Sequence, residues 1–276
     1  MRYGFEQVTV AFGARPAVTG VTLATPPGAI TALVGGDGAG KTTLLRCLAG
    51  RVAPSRGRVH RAPLVRTGVL TADPPGYDHL TVAQNLRFVA RVRGLPPELA
   101  RERGARMLAA TGLDDARDRL AERLSGGMRR KLGFVLATLH EPEVLLLDEP
   151  TTGVDPVSRT DLWWLITAAA GRGTAVVLST TYLDEAERCS QVLALDGGRV
   201  LAQGSPEAII APVRHRLYRV AGDGPADRSW RRGRDRRLWA PAGAPPDATP
   251  VEPDLEDAIV VAMLTGTPAR AVKERA

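Results

Sequence analysis

Apolar and polar positions along the 276-residue chain follow two periods, one near 2 and one near 3.6. A strand-like run from Phe5 to Val10 leads to a turn at Gly13, and a second run, Val21 to Leu23, precedes Pro26-Pro27-Gly28. Both predict antiparallel edge strands. Ile30 to Val34 is a continuous apolar run of buried-strand type that breaks into glycines before a helix-like Thr42 to Ala49. From about Thr81 to Thr111 apolar residues recur at helical spacing (Val82, Leu86, Val89, Ala90, then Leu99, Met107, Leu108). Gly94-Leu95-Pro96-Pro97 interrupts them, which predicts a small helical insert. Strand and helix types then alternate: helix Gly127 to His140, strand Val144 to Leu147, helix Pro156 to Ala170, strand Thr174 to Ser179, helix Leu183 to Cys189, strands Val192 to Ala194 and Arg199 to Ala202. Such alternation predicts an α/β fold around a parallel sheet.

Past Pro206 the character changes. The stretch from Arg214 to Pro253 is rich in Arg, Gly, Pro and Asp, and it ends in an apolar helix-like segment, Leu255 to Leu264. A boundary near Pro212 therefore divides a domain at 1–212 from a basic accessory region at 213–276. The net charge of +7 comes mostly from Arg214 to Arg237, where nine arginines stand against Asp223, Asp227 and Asp235. Lysine occurs only at Lys41, Lys131 and Lys273, so the basicity is an arginine bias and does not by itself imply nucleic acid. Three readings of the basic stretch stand side by side: a solvated mobile surface, contact with anionic lipid headgroups, or nucleic acid with Trp230 and Trp239 stacking. The composition, 44% hydrophobic and 24% charged, is that of a globular chain. No apolar run approaches the roughly 18 residues of a membrane span, and the start of the chain does not read as a secretory signal, so a cytosolic protein is expected. Cys47 and Cys189 lie in apolar segments and read as small buried hydrophobes. No internal repeat is apparent.

Three stretches carry chemistry. Gly35-Gly36-Asp37-Gly38-Ala39-Gly40-Lys41-Thr42 fits the phosphate-loop pattern between a predicted strand and a predicted helix. Gly35, Gly38 and Gly40 let backbone N–H groups face phosphates at a helix start, Lys41 neutralises their charge, and the Thr42 hydroxyl ligates Mg²⁺. Val144 to Leu147 is an apolar strand that ends in Asp148 and Glu149. Two acids there would be costly to bury without a cation or water to face, so with a phosphate loop upstream they read as a Mg²⁺-associated Asp148 and a water-polarising Glu149. Leu124-Ser125-Gly126-Gly127 opens a helix with a basic face, and on its own reads equally as an N-cap or as a phosphate-facing helix end.

Ser125 precedes Asp148 by 23 residues, and Gly153-Val154-Asp155-Pro156 follows the acid pair. Phosphate loop, signature, acid pair and this last loop, in that order and spacing, resemble the ATP-binding subunits of ABC transporters over about Tyr3 to Pro206. The resemblance implies a P-loop ABC cassette, α/β, with a parallel-sheet core, an antiparallel edge and a helical insert, followed by a small C-terminal accessory region. It implies ATP and Mg²⁺ as cofactors, Phe12 stacked on adenine, Lys41, Thr42 and Thr43 on phosphate and Mg²⁺, Asp148 on the metal and Glu149 as general base. It also implies a head-to-tail pair of cassettes, in which Ser125, Gly126 and Gly127 contact ATP held by the partner and Asp155 lies in the loop crossing between them. Simple core packing is the alternative for Phe12.

Asp155-Pro156-Val157-Ser158-Arg159, Tyr182 to Glu187 and Leu255 to Ile259 resemble the multidrug-export branch with a C-terminal extension, in particular the amino-terminal cassette of tandem-cassette members. Three residues depart from the family. Ala72 occupies the position of a glutamine, with Asp73 beside it; Thr181 stands where a histidine is expected; Met128 replaces a glutamine after the signature. The resemblance thus implies an ATPase whose own site is impaired while its signature completes a partner's site. It implies an integral membrane permease and a second cassette as partners, and a peripheral place on the inner face of the membrane. A non-hydrolysing regulatory cassette and a soluble non-transport ABC protein acting on ribosomes or DNA are the alternatives.

Overall fold

The computed structural model describes residues 2–73, 76–221, 225, 227–266 and 269–270. Pro74, Asp223 and Lys273 lie outside the described residues. The chain opens with β1 (Gly4–Phe12) and β2 (Arg15–Ala24), an antiparallel hairpin whose register pairs Phe12 with Arg15. With β4 (Arg56–His60) they form a separate three-stranded sheet in the order β2-β1-β4. The edge expected from Phe5 to Val10 and Val21 to Leu23 is thus a sheet of its own, covering α1 (Lys41–Leu48) through Val8, Val10, Val18 and Leu44.

The main sheet is built on β3 (Ile30–Val34), every residue of which is buried. Parallel neighbours are β5 (Thr67–Leu70), β6 (Val144–Asp148), β7 (Ala175–Thr180) and β8 (Gln191–Asp196). β9 (Arg199–Gly204) runs antiparallel to β8, and β14 (Ala269–Arg270) closes that edge, giving the order β14-β9-β8-β3-β7-β6-β5. The expected parallel α/β core is present. Apolar runs covered on both faces explain why these strands read as unbroken hydrophobic segments. α4 (Gly126–Thr138) and α5 (Pro156–Gly171) cover one face, with Phe134, Leu162 and Ile166 packed on Leu145, Leu147 and Val176.

The helical insert is α2 (Val82–Val92) and α3 (Pro97–Thr111), interrupted where Gly94-Leu95-Pro96 was expected to break it. Thr81 starts α2 with a reciprocal capping box to Gln84, so the first orphan N–H groups are satisfied by side chains. α6 (Leu183–Ala186) is shorter than the Leu183 to Cys189 helix expected from periodicity.

Beyond α7 (Pro206–Ile210) the basic stretch, for which a solvated mobile surface was one of three readings, forms strands among the described residues. Arg214 to Arg237 contributes three strands, β10 (Leu217–Val220), β11 (Ser229–Arg232) and β12 (Asp235–Trp239), which join β13 (Thr249–Pro250) in the order β11-β12-β10-β13. Leu217, Tyr218 and Leu238 are buried, and Trp230 and Trp239 lie half-buried against the main core, not free to stack on bases. Two arginines of the region pair closely with acids: Arg232 bonds Asp254, Asp257 at 2.9 Å and Glu256 at 3.2 Å, and Arg214 bonds Glu207 at 2.8 Å and Glu252 at 3.0 Å. α8 (Leu255–Thr265) is the apolar helix expected there, and it packs on α7 and β9. Among the described residues no helix is long and apolar enough to cross a membrane.

Candidate functional site

The C-terminal ends of β3, β6 and β7 converge, the place where parallel α/β sheets bind ligands. β3 passes into the glycine loop, where two positions tolerate no side chain. Gly35 has φ 149° and a Cβ there would lie 2.4 Å from the Leu195 carbonyl; Gly40 has φ 105° and a Cβ would lie 2.3 Å from Val18. Gly38, at φ 75°, faces open space, so a cradle of backbone rather than side chains is exposed there. Lys41 opens α1 and is buried, and its Nζ donates to the Gly35 and Gly36 carbonyls at 2.6 and 3.1 Å. No carboxylate pairs with it among the described residues, so a buried cation with a spare donor points into the loop. Thr43 follows, half-buried.

β6 delivers Asp148, whose Oδ1 accepts from Thr42 Oγ1 at 3.1 Å and from Ser179 Oγ at 2.6 Å. Ser179, at the end of β7, also accepts the Glu149 N–H at 2.9 Å. One hydroxyl therefore fixes both acids. Glu149 holds a left-handed backbone, φ 47°, which is uncommon for a non-glycine residue and costs on the order of 1 kcal/mol. Its Oε2 accepts from Thr152 Oγ1 at 3.2 Å. The donor set fits MgATP: a hydroxyl and a carboxylate oxygen 3.1 Å apart suit a hard cation, and the glycine loop with Lys41 suits polyphosphate.

The signature lies at the start of α4. Ser125 is its N-cap and accepts the Met128 N–H at 3.3 Å; Ser125 and Gly126 are exposed. Gly127 is buried against the next helix, where a Cβ would fall 2.6 Å from Ser158 Oγ and 3.1 Å from Asp155 Oδ2. Asp155 caps α5 by accepting from Val157 N at 3.1 Å and Ser158 N at 3.0 Å, and the Ser158 bond is the main reason its carboxyl lies below the usual range. Asp155 is itself exposed. Among the described residues no hydrogen bond joins Ser125, Gly126 or Gly127 to the phosphate loop. Phe12 is 58% exposed, which excludes core packing and leaves its ring presented at the tip of the β1–β2 hairpin.

The departing positions are also placed. Ala72 and Asp73 are exposed at the exit of β5, and Thr181 is exposed directly after β7. Cys47 and Cys189 are buried free thiols, pushed up to about 11 and about 12 by burial, consistent with their reading as small hydrophobes. Sequence reasoning missed Ser179 and Glu185. Glu185 is fully buried and accepts from Thr151, Arg159, Trp163 and Thr180, which ties together the loops after β6 and β7 and the start of α5. The only signal for Ser179 is a polar residue closing an apolar strand.

A glycine loop between a buried strand and a helix, with an acid pair at the end of β6, one strand removed from β3 across β7, defines a P-loop nucleotide-binding cassette. The chain matches the ABC transporter family over residues 18–152. It is 42% identical over 214 residues to the probable multidrug ABC transporter ATP-binding protein YbhF of Escherichia coli, covering 74% of this chain and 37% of that one. It is 35% identical over 222 residues to the Nod factor export ATP-binding protein I of Paraburkholderia xenovorans, covering 75% of this chain and 72% of that one. A solved ATP-binding subunit of an ABC transporter superposes with a TM-score of 0.71 at 27% identity, over 76% of this chain and 92% of that one. The chain belongs to the ATP-binding subunits of ABC transporters.

Proposed function

We propose that the chain binds MgATP and drives an exporter through a separate integral membrane permease, as one of two cassettes. The observation that carries this reading is the junction of Lys41, Thr42 and Asp148: a buried ammonium at a glycine cradle and, beside it, a hydroxyl on a carboxylate. Gly35, Gly38 and Gly40 bind phosphate through backbone N–H groups, Lys41 and Thr43 through side chains, and Thr42 and Asp148 hold Mg²⁺, which when bound draws charge from the terminal phosphate. Glu149 takes the proton of the attacking water, and Phe12 stacks on the adenine. Ser125, Gly126 and Gly127 serve the partner cassette's nucleotide, with Asp155 between the two. Exposure of Ser125, Gly126, Asp155 and Phe12 on the cassette surface supports those four roles.

Thr181 in place of an imidazole and Ala72 in place of an amide leave Glu149 without two polar neighbours, which supports slow hydrolysis at the chain's own site. The same two residues favour the second reading, a cassette that binds ATP and regulates without hydrolysing it. A permease is supported by an exposed apolar strip beside the helical insert: Leu64 and Val65 are 64% and 70% exposed, and Tyr77 and Phe88 stand edge to face at 4.6 Å with Val92 68% exposed nearby. The cassette spans 1–212, residues 213–276 form the accessory region, and the protein sits on the cytoplasmic face of the membrane. Drug export and kinship with the amino-terminal cassette of tandem members rest on the relatives and on the chain spanning 37% of the length of YbhF. Lys41→Ala tests the reading: affinity for a fluorescent ATP analogue is expected to vanish with the melting curve unchanged, and unchanged affinity overturns the assignment of Lys41.

A further inference from the structure

The accessory sheet places like charges where a hairpin ordinarily avoids them. β11 and β12 are joined by a two-residue turn, Gly233-Arg234, and their register sets Arg231 directly opposite Arg236. The row continues to Val220 on β10, so both arginines share one face of the sheet with it. Like charges directly opposite destabilise an antiparallel pair. A cavity of about 490 Å³ opens at this end of the sheet, and Arg219, Arg231, Arg234 and Arg236 line it together with Asp235 and Asp247. Asp235 is engaged by Arg219 at 3.7 Å, and Arg236 donates from Nη1 to Ser229 Oγ at 2.8 Å. Arg231 and Arg234 are exposed and make no side-chain hydrogen bond or ion pair among the described residues. The arginines that tie the sheet down are different ones, Arg232 on the acids of α8 and Arg214 on Glu207 and Glu252. The cavity therefore gathers four cations against two carboxylates, one of them already paired.

We propose that this cavity binds a small, multiply phosphorylated molecule through Arg231, Arg234 and Arg236, at a site whose lining shares no residue with the phosphate loop. Guanidinium forks match phosphate oxygens in pairs, and several arginines converging on one concave surface select a ligand that carries more than one phosphate. The volume lies within the range of small-molecule sites. An anion seated between Arg231 and Arg236 removes their mutual repulsion, so the ligand stabilises the sheet that binds it. Nucleic acid is disfavoured, because the lining holds no aromatic ring and Trp230 and Trp239 pack against the main core. The same phosphate chemistry is offered by a free molecule and by a lipid headgroup, and the experiment separates the two.

The probe is tripolyphosphate, titrated calorimetrically into the full chain carrying Lys41→Ala so that the phosphate loop does not compete. Saturable binding is expected, with a rise in the melting midpoint and a loss of affinity as salt is added. Arg231→Gln with Arg234→Gln in that background is expected to weaken tripolyphosphate on the order of tenfold, the lower end for hydrogen bonds to charged groups because both arginines are exposed. Arg87→Gln with Arg91→Gln removes the same charge from the exposed side of α2 and is expected to change the affinity by less than about twofold. Asp247→Asn takes a negative charge from the lining at a left-handed position that asparagine accepts, and is expected to tighten binding. Without ligand, Arg231→Gln is expected to melt at or above its parent, since it relieves the opposed pair, so loss of binding is not loss of fold. Phosphatidylglycerol vesicles that sediment the chain only when Arg231 and Arg234 are present assign the ligand to a lipid headgroup; tripolyphosphate binding without such capture assigns it to a free molecule. No saturable binding, or equal losses from the two arginine pairs, overturns the proposal and leaves the nucleotide reading, which the phosphate loop carries, standing. A single-stranded oligonucleotide bound more tightly than tripolyphosphate through Arg231 and Arg234 also overturns it, in favour of nucleic acid.

Discussion

Glu185→Ala should destabilise the cassette by an amount that its surroundings allow one to work out. The carboxylate is 0% exposed. Its Oε1 accepts from Thr151 Oγ1 at 2.6 Å, Arg159 Nε at 2.9 Å and Trp163 Nε1 at 3.2 Å, and its Oε2 accepts from Thr180 Oγ1 at 2.7 Å. Truncation strands all four donors, one of them a cation, and breaking a buried charged network by removing one partner costs about 3–5 kcal/mol. Arg159 retains Asp184 at 2.8 Å and is 29% exposed, so the lower half of that range is expected. At roughly 2–4 °C per kcal/mol for a chain of this size, the midpoint falls by about 6–16 °C. Glu185→Gln keeps an acceptor at Oε1 and the shape of the side chain, and is expected to lose about 1–2 kcal/mol. Urea unfolding followed by far-ultraviolet circular dichroism gives both numbers. A loss below about 1 kcal/mol for Glu185→Ala would show that water or neighbouring groups satisfy the donors, and the network would not be what holds the loops after β6 and β7 together.

Two other consequences are measurable. Burial, with Arg93 and Arg103 nearby, pulls His140 down to about 4 from 6.5, so its neutral form favours the folded state. That contribution is complete above pH 6.5 and is lost as the pH falls through the window toward about 4; His140→Leu should flatten the upper part of this fall in a series of urea melts between pH 7 and pH 5, and an unchanged slope would contradict the assignment. Photo-crosslinkers at Asp78 or His79, both exposed beside the apolar strip, are expected to capture an integral membrane protein in cells. Capture of soluble proteins alone would remove the support for a permease.

Much of the cassette is legible in the chain itself. Ile30 to Val34 and Val144 to Leu147 are buried, so their apolar runs read as interior strands, and Gly35 and Gly40 after the first are forced by contacts a Cβ would violate. Ser125 was legible as a helix cap because a cap is a local interaction, whereas the capping of α5 by Asp155, read only as part of the loop between two cassettes, emerged from the structure. Glu185 was not, because its four donors come from three segments up to 34 residues away and its own stretch reads as the acidic start of a short helix. The accessory sheet was hidden for a different reason. Nine arginines between Arg214 and Arg237 dominate the composition, while the strands are held by Leu217, Tyr218 and Leu238 and by ion pairs with acids far along the chain. Arginine stems lie along apolar surface with their heads outward, so a basic composition and a packed sheet are compatible.

The central claim, an asymmetric pair in which this chain's signature matters more than its own base, is tested most directly by steady-state ATPase rates. A positioned general base is worth about 10²–10⁴ in rate, and in the proposed reading Ala72 and Thr181 leave Glu149 without an amide and an imidazole neighbour. The chain alone is expected to turn over slowly, and addition of the second cassette to raise the rate. In that pair Ser125→Arg, which blocks the exposed end of α4, is expected to cost more than Glu149→Gln. A larger loss from Glu149→Gln, or brisk turnover by the chain alone, would contradict the account.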